Sequence, residues 1–230
     1  MGGILFGFEQ QVLRTTPPPH ELVHQARPDA PVPSGDGTML SITLPDPDGP
    51  HELALDMDDL RAIAGYAAGC ALEVLERYEH TLPTDSRPRD AIEAALAFAR
   101  GGRRERTLRD AAWAALRAAR DAEAADPAAA QAARAAMAAA SAAYLHPLAD
   151  AHQVKHILGA AAHAARSAEL AAGEDRAVGD ASLVEARRRA TPAVVDVLRR
   201  YPEAPPGGGR IGELIRALDV ALRAGPGAGR

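Results

Sequence analysis

The residues best suited to chemistry in this chain fall between positions 146 and 163: His146, His152, Lys155, His156 and His163. Imidazoles can pass a proton near neutral pH or ligate a metal through a neutral ring nitrogen. His152 and His156 have the i, i+4 spacing that lets one helix face offer two ligands to one ion, and a divalent transition metal is the cofactor such a pair would take. His163 lies about 10 Å further along a helix axis at about 1.5 Å per residue, too far to join them. A third ligand would have to come from another segment, and no His-Glu-x-x-His or Glu-x-x-His pattern supplies it. The better expectation is histidines on a polar or interhelical face and no cofactor.

Other chemistry is less well furnished. Cys70 sits on an apolar helix with no base nearby in sequence and reads as an inert small hydrophobe. Ser141 and Ser182 have no elbow or triad-like surroundings, so no catalytic residue is assigned. Gly207-Gly208-Gly209-Arg210 precedes a helix but lacks the Lys and Ser/Thr of a phosphate loop, and reads as a linker. Two arginine groups remain: Arg100, Arg103, Arg104, Arg106 and Arg109 around a helix-helix turn, and Arg187 to Arg189 at a helix end, where cations suit the dipole. Solvated ends explain both, with an acidic partner as the other reading of the first.

The elements that must position these residues are helices. Of 230 residues 54 are Ala and only 3% are aromatic, which excludes an all-β sandwich or barrel. Asp56 caps a helix over about 57–79, with Leu60, Ile63, Ala64, Ala67, Ala71, Val74, Leu75 and Tyr78 on one face. Asp85 or Ser86 starts a second that ends at Gly101-Gly102, a third covers about 104–124, and Asp126-Pro127 opens an almost pure Ala helix reaching Tyr144. His146-Pro147 breaks the chain before a fifth helix over about 148–172. On that helix Val154, Ile157, Leu158, Ala161 and Ala165 form the aliphatic stripe, and His152, His156 and His163 fall within about 40° of one another on the opposite side. Beside them Gly159 and Ala160 leave room for a ligand or a second packed helix. Asp180 and Thr191-Pro192 open two shorter helices, and Ile211, Leu214, Ile215, Leu218 and Leu222 mark a last one.

The fold expected is therefore all-α, one bundle-like domain over 39–223 with seven or eight Ala-rich helices: core helices over 57–172 and C-terminal helices over 180–223. A short β-hairpin is predicted over 39–55, a Pro-rich disordered arm over 1–38, and a frayed tail over 224–230. The net charge is -5, with eight acids against two bases in residues 1–56 and 23 acids against 24 bases beyond, which disfavours a nucleic-acid partner. One cysteine fits a reducing compartment, and the first residues carry neither a leader nor an acylation pattern. No apolar run reaches the roughly 18 residues of a membrane span, so the expected location is the cytoplasm, with no membrane partner. Of the 26 basic residues 25 are Arg, which reads as coding bias in a GC-rich, bacterial genome.

Asp85-Ser86-Arg87-Pro88-Arg89-Asp90-Ala91-Ile92-Glu93 enters a helix that closes with Ala99-Arg100-Gly101-Gly102. With the Ala-rich helices after it and a late helix carrying His156 and His163, this segment resembles bacterial immunity proteins of the immunity-five-like family, over about residues 57–170. The resemblance implies an all-α protein, encoded beside toxin genes, that acts by binding. The residues it carries over are Asp85, Arg87, Pro88, Ile92 and Glu93, and more loosely His146, His156 and His163. Asp85 can cap the helix, and Arg87 and Arg89 offer planar donors to a carboxylate, on a partner or within the chain; the internal salt bridge is the better expectation. The arm and hairpin before 57 and the helices after Gly173 lie outside the resemblance.

Two functions follow. The first is an immunity-type binding protein that neutralises or sequesters a protein partner, a toxin, without catalysis; its candidate binding residues are Asp85, Arg87, Arg89, Glu93, His146, His152, Lys155, His156 and His163. The alternative is a ligand- or metal-dependent helical enzyme using the His152 and His156 face with Lys155. Self-association is compatible with either.

Overall fold

Helix α1, Met57–Thr81, begins at Asp56 because two orphan amide groups find partners there. Asp56 Oδ1 accepts from the amides of Asp58 (2.9 Å) and Asp59 (2.8 Å), and Asp59 Oδ2 accepts in return from the Asp56 amide at 3.2 Å, a reciprocal capping box. Every residue of the stripe from Leu60 to Tyr78 is buried. Helix α2 (Arg87–Ala99) places Pro88 in its first turn and ends at Gly101, whose φ of 106° is left-handed backbone that costs glycine little. Helix α3 is Arg106–Ala122, two residues shorter at each end than the sequence suggests.

These structures are features of a computed structural model that describes residues 52–225, all within the compact unit Pro50–Arg230. The predicted arm, the first strand and turn of the predicted hairpin, and most of the tail lie outside the described residues. Of the second strand, Glu52 forms an isolated antiparallel bridge with Leu148, and the Leu53 amide donates to the Pro147 carbonyl at 2.7 Å. No strand is formed among the described residues.

Helix α4 (Pro127–Ala142) is the axis of the fold. Asp126 caps it through the amides of Ala128 (2.9 Å) and Ala129 (3.0 Å), and Pro127 occupies the first turn, where a missing N–H costs nothing. Fourteen of its 16 residues are buried, so this helix has no solvent face. α1, α2, α3 and the long helix α5 (Val154–Ala171) all pack on it. Alanine makes that possible: it is the best helix former, and its single methyl lets four neighbours approach closely.

The segment before α5 differs from its expected form. In place of helix from 148, the chain makes a 3-10 turn over Ala151–Gln153, capped by the Asp150 carboxylate on the His152 amide, and α5 starts only at Val154. After Gly173 (φ 73°), α6 runs Arg176–Arg189, four residues earlier than an Asp180 start. Asp175 caps it through the Ala177 amide at 2.9 Å, and Gly179 is an interior helical residue. Helices α7 (Pro192–Arg200) and α8 (Gly209–Arg223) complete eight helices among the described residues, with α6 and α8 packed on α5.

Candidate functional site

The histidine-bearing side of α5 is an interior seam. The aliphatic stripe is buried as expected, but His156 (4% exposed) and His163 (7% exposed) are buried too, on the side expected to lie away from the core. A helix with one core face would leave that side in solvent, but α5 packs against α1, α4, α6 and α8. His163 Nδ1 lies 2.8 Å from Gln131 Oε1 on α4; the amide oxygen accepts, so Nδ1 carries the hydrogen. The Ser167 hydroxyl donates to the Ala128 carbonyl at 2.8 Å, and a methyl on Gly159 would sit 3.8 Å from Ala138 Cβ. The small and polar residues of α5 therefore receive α4. Burial, reinforced by the charges of Lys155 and His146, pushes His156 down to about 3, and burial with the nearby Arg134 does the same to His163. Both are neutral at physiological pH.

His152 does not join them. It stands on the 3-10 turn with its side chain 60% exposed and its Nδ1 donating to Asp150 Oδ1 at 3.0 Å. The expected pair is thus split between solvent and interior, because the helix that would have aligned its members starts two residues too late. Among the described residues no group of three His, Cys, Asp or Glu side chains could hold a metal ion. Asp150 is held below the usual carboxylate range chiefly by the His152 amide, against its burial, with help from the His152 ring and the Lys155 charge. Burial lowers Lys155, and Asp150 opposes that. His146 is exposed, its amide donating to Gln153 Oε1 (3.2 Å) and its carbonyl accepting from the Tyr201 hydroxyl (2.7 Å).

The Arg-Pro-Arg segment forms internal pairs. Asp85 accepts from the Tyr78 hydroxyl at 2.6 Å and from Arg87 Nε and Nη2 at 2.9 and 2.6 Å, and Arg87 reaches on to Asp121 of α3 at 2.8 Å. This knot ties α1, α2 and α3 together. Hydrogen bonds from Arg87 hold the Asp85 carboxyl well below the usual range despite its partial burial. Arg89 forms a bidentate pair with Glu79 at 2.6 and 2.7 Å on the surface, and Glu93 is exposed. Asp85→Ala is expected to cost about 2–3 kcal/mol, because the fully buried Tyr78 ring would keep a hydroxyl without an acceptor. Arg89→Ala should leave the urea midpoint nearly unchanged, as exposed pairs do. Chemical denaturation of the two variants checks the contrast.

One ionic cluster escaped the sequence reading. Glu169 on α5 is fully buried and accepts from Arg210 Nε of α8 (3.0 and 3.2 Å) and from Arg166 Nη1 (3.0 Å). Burial would raise this carboxyl, but the two guanidinium groups outweigh it and the net shift is downward. Gly179 of α6 lies directly over it: a Cβ there would meet Oε1 and lie 2.5 Å from Cγ. Glu169 cannot swing aside without losing both arginines. Gly179→Ala is therefore expected to destabilise by about 1–3 kcal/mol, although Ala at an open helical site is favoured by about 1 kcal/mol. Thermal melts of the single variant, and of Gly179→Ala combined with Glu169→Ala, check this; the glycine effect should vanish in the second background.

The arginines ending α6 are engaged as well, Arg188 with Glu185 at 2.5 Å and Arg189 with Glu73 of α1. Cys70 is buried beside Tyr66, and burial pushes its thiol up to about 12, so it is unreactive. A cleft of about 680 Å³ opens between α1, α4 and α5, with Glu73, Glu76, Arg77, His80 and Asp126 among its walls. Two of those carboxylates already have partners: Glu73 holds Arg189, and Asp126 holds the α4 amides and the Thr81 hydroxyl.

No helix among the described residues is long and apolar enough to cross a membrane. No curated protein and no solved structure matches the chain. Residues 53–193, which are 141 of the 230, match the model of a family described as Imm-5 like putative immunity protein. The match reaches further than the resemblance over 57–170: it takes in all of α6, so that helix is part of the family fold, while α8 lies beyond it. The eight-helix body and this match lead to one conclusion: the chain belongs to the Imm-5 like immunity protein family.

Proposed function

We propose that this chain is an immunity-type protein that neutralises a protein toxin by binding it, without catalysing a reaction. The family match over residues 53–193 carries the reading. Its physical support is the use to which the polar residues are put. Asp85 and Arg87 join helices, and His156 and His163 are buried as neutral rings, His163 against Gln131 of α4. What such an arrangement offers to another molecule is its surface, on a body stiffened by buried ionic and hydrogen-bonded links. Co-expression with the product of a toxin gene adjacent to this chain's own gene tests the reading. Survival of the host, with the two proteins co-purifying, is the expected result; killing at the rate seen without the chain would refute it.

A further inference from the structure

Most arginines of this fold sit against carboxylates, but those around the α2–α3 corner do so incompletely. Five lie within ten residues: Arg100, Arg103, Arg104, Arg106 and Arg109. Glu105 balances Arg103 loosely at 4.0 Å, and Asp110 balances Arg106 at 3.5 Å. Among the described residues, no carboxylate pairs with Arg100, Arg104 or Arg109.

Two of the three are held in place. The guanidinium groups of Arg104 and Arg109 lie over the Tyr144 ring, 5.6 and 4.8 Å from its centroid, and Arg104 Nη1 donates to the Ala143 carbonyl at 3.2 Å. Tyr144 is fixed in turn by its hydroxyl, which donates to the Glu105 carbonyl at 3.0 Å. Arg109 Nε is shielded from solvent and has no hydrogen-bond partner. The local field adds to the imbalance. α3 starts here with Arg106 in its first turn and no side-chain cap, so cations crowd the positive end of a helix dipole. Such an arrangement costs the free protein stability that an incoming anion would return. Stacked, pre-oriented guanidinium groups also lose little freedom on pairing with a carboxylate.

We propose that this corner, Arg104 and Arg109 on the Tyr144 ring with Arg100, Arg103 and Arg106 at its edge, is the surface that receives an acidic segment of a protein partner. The proposal rests on the immunity reading for the identity of that partner, the toxin. An acidic peptide is the occupant because the immunity reading makes the partner a protein, and the planar forks of fixed guanidinium groups match carboxylates.

The test uses the full chain with a labelled oligo-glutamate peptide of about ten residues, in low salt where surface charge is least screened. Wild type is expected to bind, Arg100→Glu/Arg104→Glu to bind about tenfold or more weakly, and the control Arg176→Glu/Arg188→Glu, on α6, within about twofold of wild type. If the first variant loses helical circular dichroism, Arg100→Glu/Arg103→Glu, whose side chains are exposed, replaces it. Equal binding by a folded corner variant overturns the proposal, as does tighter binding of a single-stranded RNA of equal charge than of the peptide. The toxin assay separates the two readings. Protection retained by the corner variant overturns the corner as the toxin's seat and leaves the immunity reading standing. Failure of wild type to protect, with peptide binding intact, removes the immunity reading and leaves the acidic-peptide surface.

Discussion

Acidification from about pH 7.5 to about pH 5.5 is expected to lower unfolding stability by about 3 kcal/mol. The cause is the buried histidine side of α5, where His156 and His163 have their pKa pushed down to about 3. In the unfolded chain each titrates near its ordinary value of about 6.5. Between those values the unfolded state binds two protons that the folded state refuses, so stability rises with pH and is lost as pH falls through the window. At about pH 5.5 each ring contributes one unit of difference, about 1.4 kcal/mol. The groups facing them do not offset this: the charges of Lys155 and His146 beside His156, and of Arg134 beside His163, push in the same direction as burial. Urea titrations at both pH values measure the change, and His163→Gln should remove about half of it. A stability flat across this range would mean the seam is open to water.

Glu169→Ala is expected to cost about 3–5 kcal/mol, the range for breaking a buried ion pair from one side. The carboxylate is fully buried, and its loss leaves Arg166 and Arg210, each about one fifth exposed, with only the solvent-facing carboxylates of Glu174 and Glu213 as close partners. Because the link joins α5 to α8 beneath α6, the loss should loosen the C-terminal helices first. Hydrogen exchange of the α6 and α8 amides, faster in the variant while those of α4 stay protected, would show this. Glu169→Gln should recover part of the loss, since the amide oxygen still accepts.

What could be read directly from the chain was whatever local chemistry decides. The capping box at Asp56, the Asp126-Pro127 start of α4 and the glycine stop after α2 depend on residues within four positions of each other, and each is realised. Pairing of Arg87 and Arg89 within the chain was legible too, but not the carboxylates they take, Asp85 and Asp121 for the first and Glu79 for the second. Two kinds of feature were not. The surroundings of α5 depend on how many helices touch it, and periodicity reports only that some face is apolar; it left the histidine side polar or interhelical, and packing of α4 there makes it the second. The Glu169 knot joins residues 41 positions apart, and nothing at Glu169 distinguishes it in sequence from an exposed acid. Its one local trace is Gly179, a helix-weakening residue inside α6, one position before the helix start that Asp180 suggests.

The immunity reading makes the protein a stoichiometric reagent, and the most direct test is a titration. Purified chain is added in steps to a fixed amount of the toxin encoded beside it, and residual toxin activity is measured after a short and a long incubation. A binder predicts activity falling linearly to zero at a fixed molar equivalence, the same at both times. Complete inactivation by a small fraction of an equivalent, growing with time, would mean that the protein turns over and would contradict the account.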